Sequence, residues 1–133
     1  MSEGSRDECS ELAHGLSKRS IEKAKAAANR GRIFVVWENP TIAIFLGKNE
    51  DYAVLPPFYC SCKDFSLNVI ARGKRRACYH ILSYCLSRSA GNLSIMKASD
   101  SIELISMIRD VIATGRAEKL RKLINISNGS KER

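Results

Sequence analysis

The chain has 133 residues and a hydrophobic content of 44%, which is enough for one soluble domain with a modest core. No apolar run approaches the ~20 residues needed to cross a bilayer, and no apolar leader opens the chain, so an intracellular location, cytoplasmic or nuclear, is expected. The net charge of +8 favours nucleic acid or an acidic partner and carries no information about fold.

Residues 1–15 begin small and polar and read as a flexible N-terminus. From Leu16 to Asn29 the pattern is helical, with Ile21, Ala24, Ala27 and Ala28 on one face and Lys23 and Lys25 on the other. Ser17 or Ser20 caps this helix and Gly31 stops it. His14, just before it, reads as a surface residue. Arg32–Glu38 is β-branched and aromatic and predicts a strand, with Trp37 in the core. Asn39-Pro40 marks a turn. Thr41–Leu46 is a second strand, Gly47 and Lys48–Asp51 a charged turn, and Tyr52–Leu55 a short third strand. Pro56-Pro57 ends regular pairing and redirects the chain. The expectation is a small antiparallel meander whose last edge delivers Cys60 and Cys62.

Cys60-Ser61-Cys62 and Cys78-Tyr79-His80 are separated by fifteen residues. Three Cys and one His form a closed ligand set for structural zinc. In an extended strand, side chains at i and i+2 share a face, so Cys60 and Cys62 converge on one ion. In a helix, i and i+2 point apart, which places Cys78 just before a helix and His80 in its first turn. A closed tetrahedron leaves no open position for chemistry. Nucleotide-binding glycine loops and H-E-x-x-H are absent, and His80 lacks the neighbouring Glu of zinc deaminases. The reading is therefore a non-enzymatic, zinc-binding module.

Between the pairs, Asp64 reads as an acceptor for backbone N–H groups of the ligand turn, or as a partner of the imidazole. Ser66–Ala71 is apolar and fits a strand or a helical turn. Arg72, Lys74, Arg75 and Arg76 are candidate nucleic-acid contacts; as the competing reading, they offset the net negative charge of a zinc held by three thiolates. Cys78, Ile81, Leu82, Cys85 and Leu86 recur at helical spacing and predict a helix over Tyr79–Arg88, with Cys85 in the core and Gly91 as the stop. Asp100 with Glu103 resembles a capping box. Leu104, Ile105, Ile108, Val111 and Ile112 then form a wide apolar face, and Gly115 ends that helix. Ala117, Leu120, Leu123 and Ile124 suggest one more amphipathic helix. These two helices either complete the core or present a partner surface, for which Leu120, Leu123 and Ile124 are the candidates. A homodimer would hide the same patch. The domain expected is 16–126, followed by a flexible basic tail at 127–133. The absence of Gln, with only two Thr and thirteen Ile, leans towards a thermophilic source.

The string Phe58-Tyr59-Cys60-Ser61-Cys62-Lys63-Asp64-Phe65, followed by Cys78-Tyr79-His80-Ile81-Leu82, resembles the SWIM zinc finger, a C-x-C…C-x-H pattern placed after a β-hairpin and leading into a helix. The helix–hairpin–finger–helix order and the segment Ser94–Ile108 are similar to the small SWIM subunits of Shu complexes. That resemblance implies an α+β fold with a zinc-anchored helix flanked by N- and C-terminal helices, and one structural Zn2+ on Cys60, Cys62, Cys78 and His80. It also implies a heteromer with a RecA/RadA-like recombinase paralogue acting on DNA in homologous recombination. The recombination branch usually carries Ala three residues after the His ligand, whereas this chain carries Ser83. The alternative function is a stand-alone DNA-binding regulator using the basic loop.

Overall fold

The computed structural model describes the backbone of residues 2–132 and the side chains of residues 8–125. Helices α1 (Ser2–Ala13) and α2 (Lys18–Asn29) lead into strands β1 (Ile33–Trp37), β2 (Ile42–Phe45), β3 (Tyr52–Leu55) and β4 (Tyr59–Cys60). A π-helical segment, Phe65–Ala71, precedes helix α3 (Tyr79–Ala90), strand β5 (Ser94–Ile95), and helices α4 (Ser101–Thr114) and α5 (Glu118–Glu132). The sheet runs β4-β3-β2-β1-β5. The first three strands form the expected antiparallel meander, β4 extends it past Pro56-Pro57 as a fourth strand, and β5 adds in parallel to β1, with Phe34 opposite Ser94 and Val35 opposite Ile95. Nothing in its two residues announced β5 as a strand. The long return through α3 brings it beside β1, as a parallel pairing requires.

Local signals account for most boundaries. Ser17 caps α2, its hydroxyl accepting the Ser20 amide at 3.1 Å. Asp100 caps α4 by accepting from the Glu103 amide at 2.8 Å, and the Glu103 carboxylate accepts from the Ser99 amide at 2.7 Å. Gly91 and Gly115 end α3 and α4 in the left-handed conformation, with φ of 72° and 77°, which costs glycine no Cβ clash. Gly47 answers to a different constraint. A Cβ there would lie 2.1 Å from the Glu50 carbonyl oxygen, so the β2–β3 turn closes only over a glycine.

The sheet is covered on both faces. On one face Val35, Ala43, Phe45 and Val54 pack with α1, α2 and α3 around the two ligand pairs. On the other, Val36, Ile44 and Ala53 pack with Met107 and Val111 of α4, with Ala117, and with Leu120 of α5. A sheet buried on both sides reads as an unbroken apolar run, which is why β1 is Ile-Phe-Val-Val-Trp and β2 is Ile-Ala-Ile-Phe. Trp37, expected in the core, is half-buried at the rim of the sheet, where the β1–β2 register shifts between Val35 and Trp37.

Two expectations are corrected. Residues 1–15 are not a frayed start throughout: α1 spans Ser2–Ala13, and Cys9 and Leu12 are buried in the first core. Cys9 is tied to Cys85 of α3 by a disulfide, Cα–Cα 5.6 Å across a sequence separation of 76. Cys85 is indeed in the core and off the metal site, but no local pattern pointed to its bond with Cys9. The second correction concerns Leu120, Leu123 and Ile124. Leu120 is 0% exposed and the other two pack against the same core, so this patch is spent on the sheet's second face and is not a free interface. The tail expected at 127–133 has side chains outside the described residues, and the backbone of α5 continues to Glu132.

Asp51 holds the second face in place. Its carboxylate is buried at the β2–β3 turn and accepts from the Gly47 amide (3.0 Å), the Ala117 amide (2.8 Å), and Nε (2.8 Å) and Nη2 (2.7 Å) of Arg121. The turn, the α4–α5 junction and α5 thus meet on one charged group. Burial alone raises the pKa of this carboxyl. The Arg121 hydrogen bond, the Ala117 amide and the guanidinium charge outweigh burial and hold it below the ordinary 3.8.

Arg121→Ala removes both guanidinium hydrogen bonds of this buried carboxylate, leaving only the longer Arg116 pair at 3.8 Å, and should cost about 3 kcal/mol, measured by urea unfolding. Because the folded carboxyl titrates below its unfolded value, its contribution is full above pH 3.8 and is lost as the pH falls past that point. Asp51→Asn should remove this share of acid lability. Separately, Cys9→Ser should lower stability by about 4 kcal/mol, the entropy of a loop of this length, while leaving the metal content unchanged.

Candidate metal centre

Cys60 lies on the two-residue strand β4, paired with Val54 of β3. Ser61, between the ligands, is anchored twice to Ala53: its amide donates to the Ala53 carbonyl at 3.0 Å, and its hydroxyl accepts the Ala53 amide at 2.9 Å. Holding the middle residue by main chain and side chain points Cys60 and Cys62 to one side, both buried. The Cys62 sulfur then accepts the Phe65 amide at 3.3 Å as the chain turns into the π-helical segment. The second pair straddles a helix start, as expected from its spacing. Cys78 is the N-terminal flanking residue of α3 with extended φ −97° and ψ 175°, and His80 lies in the first turn.

The four ligand atoms lie within 4.8 Å of one another, and all four residues are buried. His80 Nδ1 is 3.7 Å from Cys60 Sγ and 3.6 Å from Cys78 Sγ. A tetrahedral ion ~2.3 Å from sulfur and ~2.0 Å from nitrogen separates such a pair by about 3.6 Å. Both imidazole–sulfur distances match a coordination shell, with Nδ1 as the nitrogen donor.

The sulfurs are in electrostatic conflict with one another. The Cys60 and Cys78 thiols donate to Cys62 and hold its pKa far below the thiol range. Cys60 is pushed far up, because its proton is shared with Cys62 and Cys78 and because it is buried. Cys78 rises to about 12: donation from Cys60 lowers it, and its hydrogen bond to Cys62 together with burial outweighs that. Three thiolates this close repel one another, so they do not all ionise readily on their own. A cation resolves this, since thiolate is the metal-binding form at every position.

An aromatic cage surrounds the imidazole. Tyr52 and Tyr79 lie 4.3 Å and 4.2 Å from the His80 ring centroid, and Phe45 meets it edge-on at 4.5 Å. Nε2 is buried and without a hydrogen-bond partner among the described residues. Asp64, expected to serve the ligand turn or the imidazole, does neither. Its carboxylate accepts from Asn68 Nδ2 at 2.7 Å and from Nη1 of Arg75 at 3.0 Å, with Arg75 Nη2 on its other oxygen. It braces the loop between the ligand pairs.

That bracing divides the four expected nucleic-acid contacts. Arg75 is only partly exposed and is committed to Asp64, so it is a loop clamp and not a free contact. Arg72, Lys74 and Arg76 are exposed, with Arg76 in a surface pair with Glu11 at 3.3 Å. Ser83 joins the metal-bearing helix to its neighbour. Its hydroxyl donates to the Tyr79 carbonyl at 2.8 Å and to the Ala24 carbonyl of α2 at 3.2 Å.

Comparison with protein-family models, with curated proteins and with solved structures finds no match to this chain. No described helix is long and apolar enough to cross a membrane.

Elemental analysis of chelator-free protein should find about one metal ion per chain. Because ligand binding in such sites is coupled to folding, Cys78→Ser should lose the ion and melt at much lower temperature. Retention of both would remove the site.

Proposed function

We propose that the ion is zinc and that the protein is a SWIM-type, non-enzymatic accessory subunit. It pairs with a RecA-like recombinase paralogue in homologous recombination. The observation that carries the first part is the closed, buried Cys60/Cys62/Cys78/His80 cluster at the junction of a β-hairpin and a helix. Three sulfurs and one nitrogen in a tetrahedron are a zinc donor set. With every corner taken by protein, the ion braces the fold and offers no position to a substrate. The recombinase partner is supported by the sequence resemblance of the finger and of Ser94–Ile108.

For such a partner one apolar surface on a single helix is the outer side of α4, where Ile102, Ile105 and Ile112 are 76%, 53% and 61% exposed. They recur at helical spacing on the side away from Met107 and Val111. The second reading, a stand-alone DNA-binding regulator, is favoured by the exposed Arg72, Lys74 and Arg76.

Affinity capture from native extract followed by mass spectrometry should recover a RecA-family ATPase with the wild-type protein. Ile105→Glu should recover about tenfold less, a loss of ~1.4 kcal/mol, with zinc content and melting temperature unchanged. Capture without any ATPase, together with tight DNA binding by the protein alone, would favour the regulator.

A further inference from the structure

A second basic surface lies away from the loop between the ligand pairs. A cleft of about 360 Å3 opens between α2, the start of β1 and the end of β2. Lys23 and Arg30 come from α2, Arg32 from the turn into β1, and Lys48 from the β2–β3 turn, with Tyr79 and Phe45 in the wall. No carboxylate lines it, and among the described residues none of these four cations has an ion-pair partner. Lys23, Arg30 and Lys48 are exposed. Arg32 is partly held, Nη1 donating to the Leu46 carbonyl at 3.2 Å.

The cleft does not end there. A neighbouring hollow of about 400 Å3 shares Lys23 and Tyr79 with it and continues past Ser17 and Ser20 to Arg75. The two make one trough along α2, cationic at the Lys48 end and lined at the other by the Ser17 and Ser20 hydroxyls and the Asp64–Arg75 ion pair. Tyr79 stands where they meet, with the Lys23 ammonium 5.6 Å from its ring centroid and His80 against it.

We propose that this trough binds single-stranded nucleic acid, the phosphates lying along Lys23, Arg30, Arg32 and Lys48. Offsetting a metal centre does not account for the charge: a zinc with three thiolates carries one net negative charge, against four unpaired cations here. A narrow cationic trough with an aromatic side chain in its wall is the arrangement that tracks one strand. A duplex, as a rigid rod, would touch only the rims. An acidic peptide would find the cations but would have no use for the ring. The site goes beyond the accessory-subunit reading and does not need a partner, so the zinc-loaded chain is tested alone.

The probe is a fluorescein-labelled oligothymidine, titrated by anisotropy at several salt concentrations. Single-stranded contacts contribute ~0.7 each to the salt slope. The triple variant Lys23→Gln/Arg30→Gln/Lys48→Gln should flatten the slope by about 2 and weaken binding about 100-fold near 0.1 M salt. Zinc content and melting temperature should not change, because all three side chains are exposed. Lys48→Glu alone, on an exposed turn, should weaken binding and guards against a triple variant that fails to fold. The control Arg72→Gln/Lys74→Gln/Arg76→Gln should lose much less. Wild-type affinity in the trough variants, loss confined to the loop control, preference for a duplex of the same sequence, or no binding by the wild type would each overturn the proposal. A failed search for a recombinase partner would leave it standing.

Discussion

The meeting of four ligand atoms at one buried point is the constraint on which the rest of the molecule depends. Strand β4 has two residues and one hydrogen-bonded neighbour. A strand so short at the edge of a sheet has little hold of its own. What keeps it is Ser61 clamped to Ala53 on one side and the pull of Cys60 and Cys62 towards Cys78 and His80 on the other. The same point fixes the start of α3, which carries Ile81, Leu82 and Cys85 into the first core, and through Cys85 it reaches α1. Three thiols this close resist joint ionisation. A cation bound there would turn that repulsion into attraction.

The opposite face of the sheet is held by another kind of interaction. Asp51 is a single buried carboxylate that satisfies two amides and a guanidinium, so the turn, the α4–α5 junction and α5 are positioned by charge where the first face is positioned by coordination. Both devices sit at the ends of short β-hairpins. Helices α4 and α5 complete the core, and their apolar residues divide accordingly. Met107, Val111 and Leu120 face the sheet, while Ile102, Ile105 and Ile112 face outwards.

The positive charge is likewise divided by role. Arg121 and Arg75 serve buried or braced carboxylates, and Arg32 is partly held by a carbonyl. Four cations with no ion pair among the described residues, Lys23, Arg30, Arg32 and Lys48, line one cleft beside the start of α3. Tyr79, between ligands Cys78 and His80, belongs to both regions. The candidate metal cluster and the charged trough therefore share one wall, Tyr79.

The ligand set, the strand under Cys60 and the helix start under the second pair were legible in the sequence, because spacing of two residues has few geometric solutions, though Cys62 sits instead at the bend into the π-helical segment. So were α2, α4, the meander and their caps, where Ser17, Asp100, Gly91 and Gly115 act within a few residues of themselves. Three features were not legible, and all depend on contacts distant in sequence. The Cys9–Cys85 bond spans 76 residues, and nothing near Cys9 distinguishes it from a small polar start. Asp51 has the local surroundings of a solvated turn, and only α5 brings Arg121 against it. Leu120, Leu123 and Ile124 form a surplus patch for as long as β1 and β2 are taken as one-sided strands. The unbroken apolar runs of those strands signal a sheet covered on both faces. Short-range geometry brought the four candidate ligands together, and only the packing of α5 on the sheet decided which apolar and charged residues stayed exposed.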